Sequence, residues 1–123
     1  YLACHTGHPS TLWVMESAYN YHWLYKHMMA LNTEFKMRYG HILDHKTIQL
    51  LEGALKYPPK NISLNKVATE PTPAMPDYCK IAGDSVASYR KYYIFEKQRF
   101  ATWKSPASVP DWYINGVEKY QNY

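Results

Sequence analysis

The sequence predicts an all-α fold, and three observations predict it. Apolar residues recur at spacings of three and four in several stretches, residues with capping chemistry stand at the ends of those stretches, and no stretch alternates with period two. At 123 residues the chain has the size of one domain with one core, so the expectation is a compact single-domain helical bundle over residues 1–123. It opens at Tyr1 without a methionine, which reads as a processed form or a piece that lacks a native N-terminal segment.

Each element follows from local chemistry. Pro9 suits the first turn of a short helix reaching Glu16, because its missing N–H is not needed there. Ser17 offers an N-cap and Gly40 a C-cap for a long helix over residues 18–39, in which Tyr21, Leu24, Met28, Leu31, Phe35 and Tyr39 form one apolar stripe. Asp44 is placed to cap a third helix running to about Lys56, where Pro58 and Pro59 stop it. Residues 57–83 hold five prolines and little apolar periodicity, and read as a long irregular proline-rich loop that Met75 and Tyr78 would pin. Asp84 or Ser85 starts a last long helix to about Lys104, with Val86, Tyr89, Tyr93, Phe100 and Trp103 as its apolar stripe. One or two further helical turns are expected before Tyr123.

Composition narrows the function classes. Aromatic residues make up 16% of the chain, with 13 Tyr and 4 Trp, so rings with polar edges must serve core and surface alike. The net charge of +4 favours anionic partners, and five Lys/Arg against two Asp/Glu fall between residues 84 and 104. No apolar run approaches the roughly 18 residues that span a bilayer, and no signal peptide is visible, so no membrane role is expected. Two cysteines make no disulfide framework; a reduced setting is expected, with one disulfide left open.

Candidate site residues fall into three groups. Asn20, Trp23, His27, Glu34 and Arg38 share a flank of the second helix, which would be either the wall of a polar pocket, with His8 at its edge, or a solvated flank carrying one ion pair. Glu34 and Glu96 are the candidate catalytic carboxylates. Glu96 falls inside the stripe of the last helix, where burial would raise its pKa and suit it to acid-base work, the alternative being a structural ion pair. The third group interleaves charge with rings: Arg90, Lys97, Arg99 and Lys104 would hold phosphates, with Arg90, Lys97 and Lys104 seven apart along one helix, while Trp112 and Tyr113 would stack on bases. Cys4, His5, His8, His41, His45 and Cys79 match no standard zinc spacing, and no metal or cofactor is expected.

Several short patterns together resemble a known group. His8-Pro9-x-x-x-Trp13, Asn20-Tyr21-x-Trp23-Leu24, Arg38-Tyr39-Gly40, Thr72-Pro73-Ala74-Met75-Pro76 and Tyr89-Arg90-x-Tyr92-Tyr93-x-x-Glu96-Lys97 resemble a family of small phage and bacterial proteins, of which this chain would be the C-terminal two-thirds. That family is similar, more distantly, to the all-helical phage pyrimidine-dimer DNA glycosylase and AP lyase called endonuclease V. The glycosylase works through an N-terminal α-amine and an early glutamate. Neither has a visible counterpart here, so the resemblance carries over DNA contact by Trp112 and Tyr113, leaves catalysis open, and predicts a relative or remnant of such a glycosylase and AP lyase. It implies a DNA-binding protein of phage type in the host cytoplasm or the virion. The alternative is a non-enzymatic virion or host-takeover protein that binds other proteins through its Tyr-rich surface.

Overall fold

A computed structural model describes residues 2–64 and 67–122. Its regular elements are α1 (Pro9–Met15), α2 (Ala18–Tyr39), α3 (Lys46–Leu55), a 3-10 turn (Asp77–Cys79), α4 (Ser85–Glu96) and α5 (Asp111–Gln121), with no strand among the described residues. No described helix is long and apolar enough to cross a membrane. The chain divides into two compact units, Tyr1–Thr69 and Glu70–Tyr123.

In the first unit the ends of α2 follow from two residues. Ser17 accepts a hydrogen bond from the Asn20 N–H, and Gly40 takes the left-handed conformation at φ 64° that an L side chain resists. The expected stripe is only partly covered. Tyr21 is half-buried and donates its hydroxyl to the Leu55 carbonyl at 2.8 Å, but Leu24, Leu31 and Tyr39 are exposed.

Two asparagines lie deeper than most of the stripe. Asn20 is fully buried; its Nδ2 donates to the Trp13 carbonyl and to Thr69 Oγ1, both at 2.9 Å, and its Oδ1 accepts from the Thr69 N–H at 3.1 Å. Asn32 donates to Asp44 Oδ1 at 2.9 Å and accepts from the His45 N–H at 2.8 Å. Each ties one end of α2 to a neighbouring loop, because an amide can satisfy a carbonyl and an N–H at once. Trp13, 4% exposed, adds an indole hydrogen bond to the Thr69 carbonyl.

The expected cap of α3 is corrected by these contacts. Asp44 is drawn to Asn32 and Lys36, whose hydrogen bonds hold its carboxyl below the usual range, and His45 caps the helix instead by accepting the Thr47 N–H at its Nδ1.

In the second unit two buried serines hold the chain before α4 onto that helix. Ser85 donates to the Pro71 carbonyl, while Ser88 donates to the Asp84 carbonyl at 2.7 Å and accepts from the Ile81 N–H at 2.8 Å. Asp84 caps α4 as expected, by accepting the Ala87 N–H. The helix stops at Glu96, not at Lys104. Gln98 folds its side chain back to donate to the Ile94 carbonyl at 2.7 Å, the acceptor its own N–H would use in a continued helix, and the N–H groups of Phe100 and Ala101 both turn onto the Lys97 carbonyl. After residues 101–110 comes α5, eleven residues long and so longer than expected, introduced by Pro110 with Asp111 in its first turn. It packs on α4 where Gly116 meets Ile94; any side chain at Gly116 would overlap Ile94 Cδ1.

Candidate functional site

The helical break at Glu96 rearranges the basic residues. Arg90 stays on α4, but Lys97 is its C-cap and Arg99 lies in the turn that follows, so Arg90, Lys97 and Lys104 do not share the edge of one helix. What the turn creates instead is a ring with two cations close to it. The Lys97 ammonium lies 5.9 Å and the Arg99 guanidinium 4.4 Å from the centroid of Phe100, and Phe100 is 61% exposed. Lys97 also sits 4.8 Å over Tyr92.

The other cations of α4 are held in the same manner. Arg90 lies 5.4 Å over Trp112 and Lys91 5.7 Å over Phe95. Among the described residues no carboxylate comes within 4.0 Å of Arg90, Lys91, Lys97 or Arg99. Contacts of this kind are worth about 0.5–1 kcal/mol at an exposed site, and they fix the cation's position without neutralising its charge.

Trp112 and Tyr113 are half-buried. Trp112 meets Tyr93 edge-on at 6.4 Å, and Tyr113 packs on Trp103 at 4.8 Å. Their visible work is to join α5 to the segments before it and to seat Arg90. Phe100, which sequence periodicity assigned to the apolar stripe, is the more open ring. Its signal in the sequence was the flanking pair Lys97 and Arg99.

The candidate carboxylates stand apart from this cluster in chemistry. Glu96, expected within a buried stripe, is exposed and accepts the hydroxyl proton of Tyr78, so the desolvation argued for an acid-base role is absent. The Tyr78 hydroxyl is pushed up to about 12, first by that hydrogen bond and then by partial burial. Glu34 pairs with Arg38 at 2.7 Å, four residues on, on the partly exposed surface of α2.

The second-helix residues are drawn to separate partners. Asn20 is consumed by its ties to Trp13 and Thr69, His8 caps α1 by accepting the Ser10 N–H, and His27 is exposed with its ring stacked on Trp23 at 5.1 Å. From Asn20 to Arg38 is about 27 Å of helix at about 1.5 Å per residue, so residues aligned on one flank are strung out rather than convergent. Among the described residues no three His, Cys, Asp or Glu side chains are grouped to hold a metal. Both cysteines are free; Cys79 is buried, and that burial pushes its thiol up, away from the reactive thiolate.

Comparison of the chain with protein-family models, curated proteins and solved structures finds no match.

Proposed function

We propose that this chain is a DNA-binding protein of phage type, and that the turn from Lys97 to Phe100, with Arg90 on α4, is its nucleic-acid contact. One observation carries the reading: an exposed ring with two cations close to it, neither of them answered by a carboxylate among the described residues. Cations hold phosphates by charge, and an exposed ring beside them offers a stacking surface to a base. Trp112 and Tyr113, the residues for which the glycosylase resemblance implies DNA contact, support the same surface by seating Arg90 and anchoring α5. A glycosylase activity does not follow, because Glu34 is spent on Arg38 and Glu96 on Tyr78.

The test is a salt titration of binding to fluorescent single-stranded and duplex DNA. Reversing Lys97 and Arg99 to Glu lowers the log-log salt slope by about two, since each phosphate contact contributes about 0.9. Phe100→Ala lowers affinity by about 1–3 kcal/mol and leaves the slope unchanged, because stacking releases no counterion. No binding at about 50 mM salt, where such contacts are strongest, overturns the reading.

A second reading rests on the first unit, where Trp23 at 51%, Leu31 at 56% and Tyr19 at 59% exposure line α2. Rings and aliphatic groups open to that extent suit a protein partner. In that case Trp23→Ala abolishes capture of a protein partner, and DNA is not bound.

A further inference from the structure

An open cleft of about 280 Å³ lies between α4, the residues just before it and the last turns of α5. Its apolar walls are Val86, Ala87, Ile94 and Tyr120, with Ile81 at one end, and its charged rim is Arg90 and Lys91. Tyr120 is propped by Phe95 at 4.4 Å, and Phe95 carries the Lys91 ammonium on its ring, so one aromatic pair fixes both a wall and a rim charge. Arg90 is fixed likewise by Trp112. Asp84 also lines the cleft, with Oδ1 accepting the Ala87 N–H. Two cations against one carboxylate leave the cleft with one excess positive charge.

We propose that this cleft is a binding site for a small aromatic monoanion, an aryl carboxylate or sulfonate, with its rings between Val86, Ile94 and Tyr120 and its charge on Arg90 and Lys91. Size, wall and charge each select a part of that ligand. A cavity of about 150 Å³ lined by aliphatic and aromatic groups is enough for benzene, so this volume takes a body of about two fused rings. Apolar walls favour such a body over a hydrated one. The single excess charge matches one anionic group, and a dianion would meet the Asp84 carboxylate without a further cation to answer it. The site goes beyond DNA contact at the Lys97–Phe100 turn and shares only Arg90 with it.

The experiment titrates the whole chain with 2-naphthoate, 2-naphthalenesulfonate, 2-naphthol and inorganic phosphate, following amide and side-chain NMR shifts of Val86, Ala87 and Tyr120. Both naphthyl anions shift these residues saturably. Naphthol and phosphate bind at least about tenfold more weakly, each lacking half of the recognition. Arg90→Ala with Lys91→Ala costs at least about tenfold in naphthoate affinity. Val86→Trp, at a position 61% exposed and so safe for folding, fills the cleft mouth and blocks the anions. Reversal of Lys97 and Arg99, which alters DNA binding, leaves naphthoate affinity within about twofold, so the failure of either site is read separately. Equal binding of phosphate and naphthoate, or naphthoate binding indifferent to Val86→Trp, overturns the proposal.

Discussion

Carboxylates answer two cations of the first unit, where among the described residues Lys56 alone lies over a ring, that of Tyr57 at 6.0 Å, and rings answer four cations of the second. In the first, Lys36 ends 3.0 Å from Asp44 and Arg38 ends 2.7 Å from Glu34. In the second, Lys80 pairs with Asp77, but Arg90, Lys91, Lys97 and Arg99 each face a ring. A cation paired with a carboxylate has its charge spent, and the pair is worth only about 0–1 kcal/mol at a surface. A cation on a ring keeps its charge and loses its freedom, which is the state a binding site for anions needs. The second unit therefore holds four cations in place on rings, although the unit Tyr1–Thr69 holds more Lys and Arg relative to Asp and Glu.

Both units have a fully buried serine, Ser17 and Ser88, but the first adds the amide of Asn20 at its deepest point and the second adds Cys79. Asn20, itself fully buried, satisfies the Trp13 carbonyl and the Thr69 hydroxyl and N–H, so removing it breaks three part-buried or buried hydrogen bonds at once. Asn20→Asp keeps the shape, deletes both donated bonds and places a charge in the site. It should cost about 3 kcal/mol, read as a fall in the urea midpoint with loss of amide protection in α1 and α2. A loss under about 0.5 kcal/mol would remove the asparagine from its place as the tie of the first unit.

The same substitution should have opposite signs in the two units. Gly53, in α3, has nothing within 4 Å of the position its Cβ would take, whereas Gly116, in α5, faces Ile94, with Cγ1 at 3.0 Å and Cδ1 closer still. Gly53→Ala should stabilise by about 0.5–1 kcal/mol through helix propensity alone. Gly116→Ala gains the same propensity but forces Ile94 aside, for a net loss of about 1 kcal/mol. In an Ile94→Val background the Gly116 substitution should become neutral or favourable, since the overlapping methyl is gone. Equal and positive effects in the wild-type chain would mean that α5 is not packed on α4 at this point.

How much of this was legible depends on whether the signal was local. Ser17 and Gly40 act on their own neighbours, and they placed both ends of α2 correctly. The end of α4 was not legible, because no Gly or Pro marks Glu96 and the apolar spacing runs on through Phe100 and Trp103. The break rests on Gln98 returning to Ile94, a contact that competes with helix only once the turn exists. His45 displaced Asp44 as a cap because Asn32 and Lys36, twelve and eight residues earlier, claimed the carboxylate. Polarity placed Asn20 on a solvated flank or pocket wall, since sequence pattern cannot tell a satisfied buried amide from an exposed one. For the site, charge-ring interleaving singled out the segment from Arg90 to Lys104, while helical periodicity assigned Phe100, which is open, to the core.

The smallest effect expected is a pH response that belongs to the second unit. The Tyr78 hydroxyl donates to Glu96, and ionising it would put two negative charges together, which is the first reason its pKa stands near 12; partial burial and the nearby Glu96, Cys79 and Tyr92 charges push the same way. A folded pKa above the ordinary value of about 10 means that the contact contributes fully below pH 10 and is lost as pH rises through about 12. With Tyr78 exposed, the contribution to stability is small, and the titration itself is the better observable. Carbon-13 NMR of the tyrosine ring carbons should show Tyr78 among the last to ionise. Glu96→Gln should bring its midpoint down toward about 10, because an amide oxygen still accepts the proton but carries no charge to oppose the phenolate. In the first unit the Tyr25 hydroxyl donates to Glu52 on α3 at 2.8 Å, and its pKa is raised first by that hydrogen bond. Tyr25 is thus the internal control: Glu96→Gln should leave its titration unchanged, and a shift in both tyrosines would mean that the substitution acts through the fold rather than through the Tyr78 hydrogen bond.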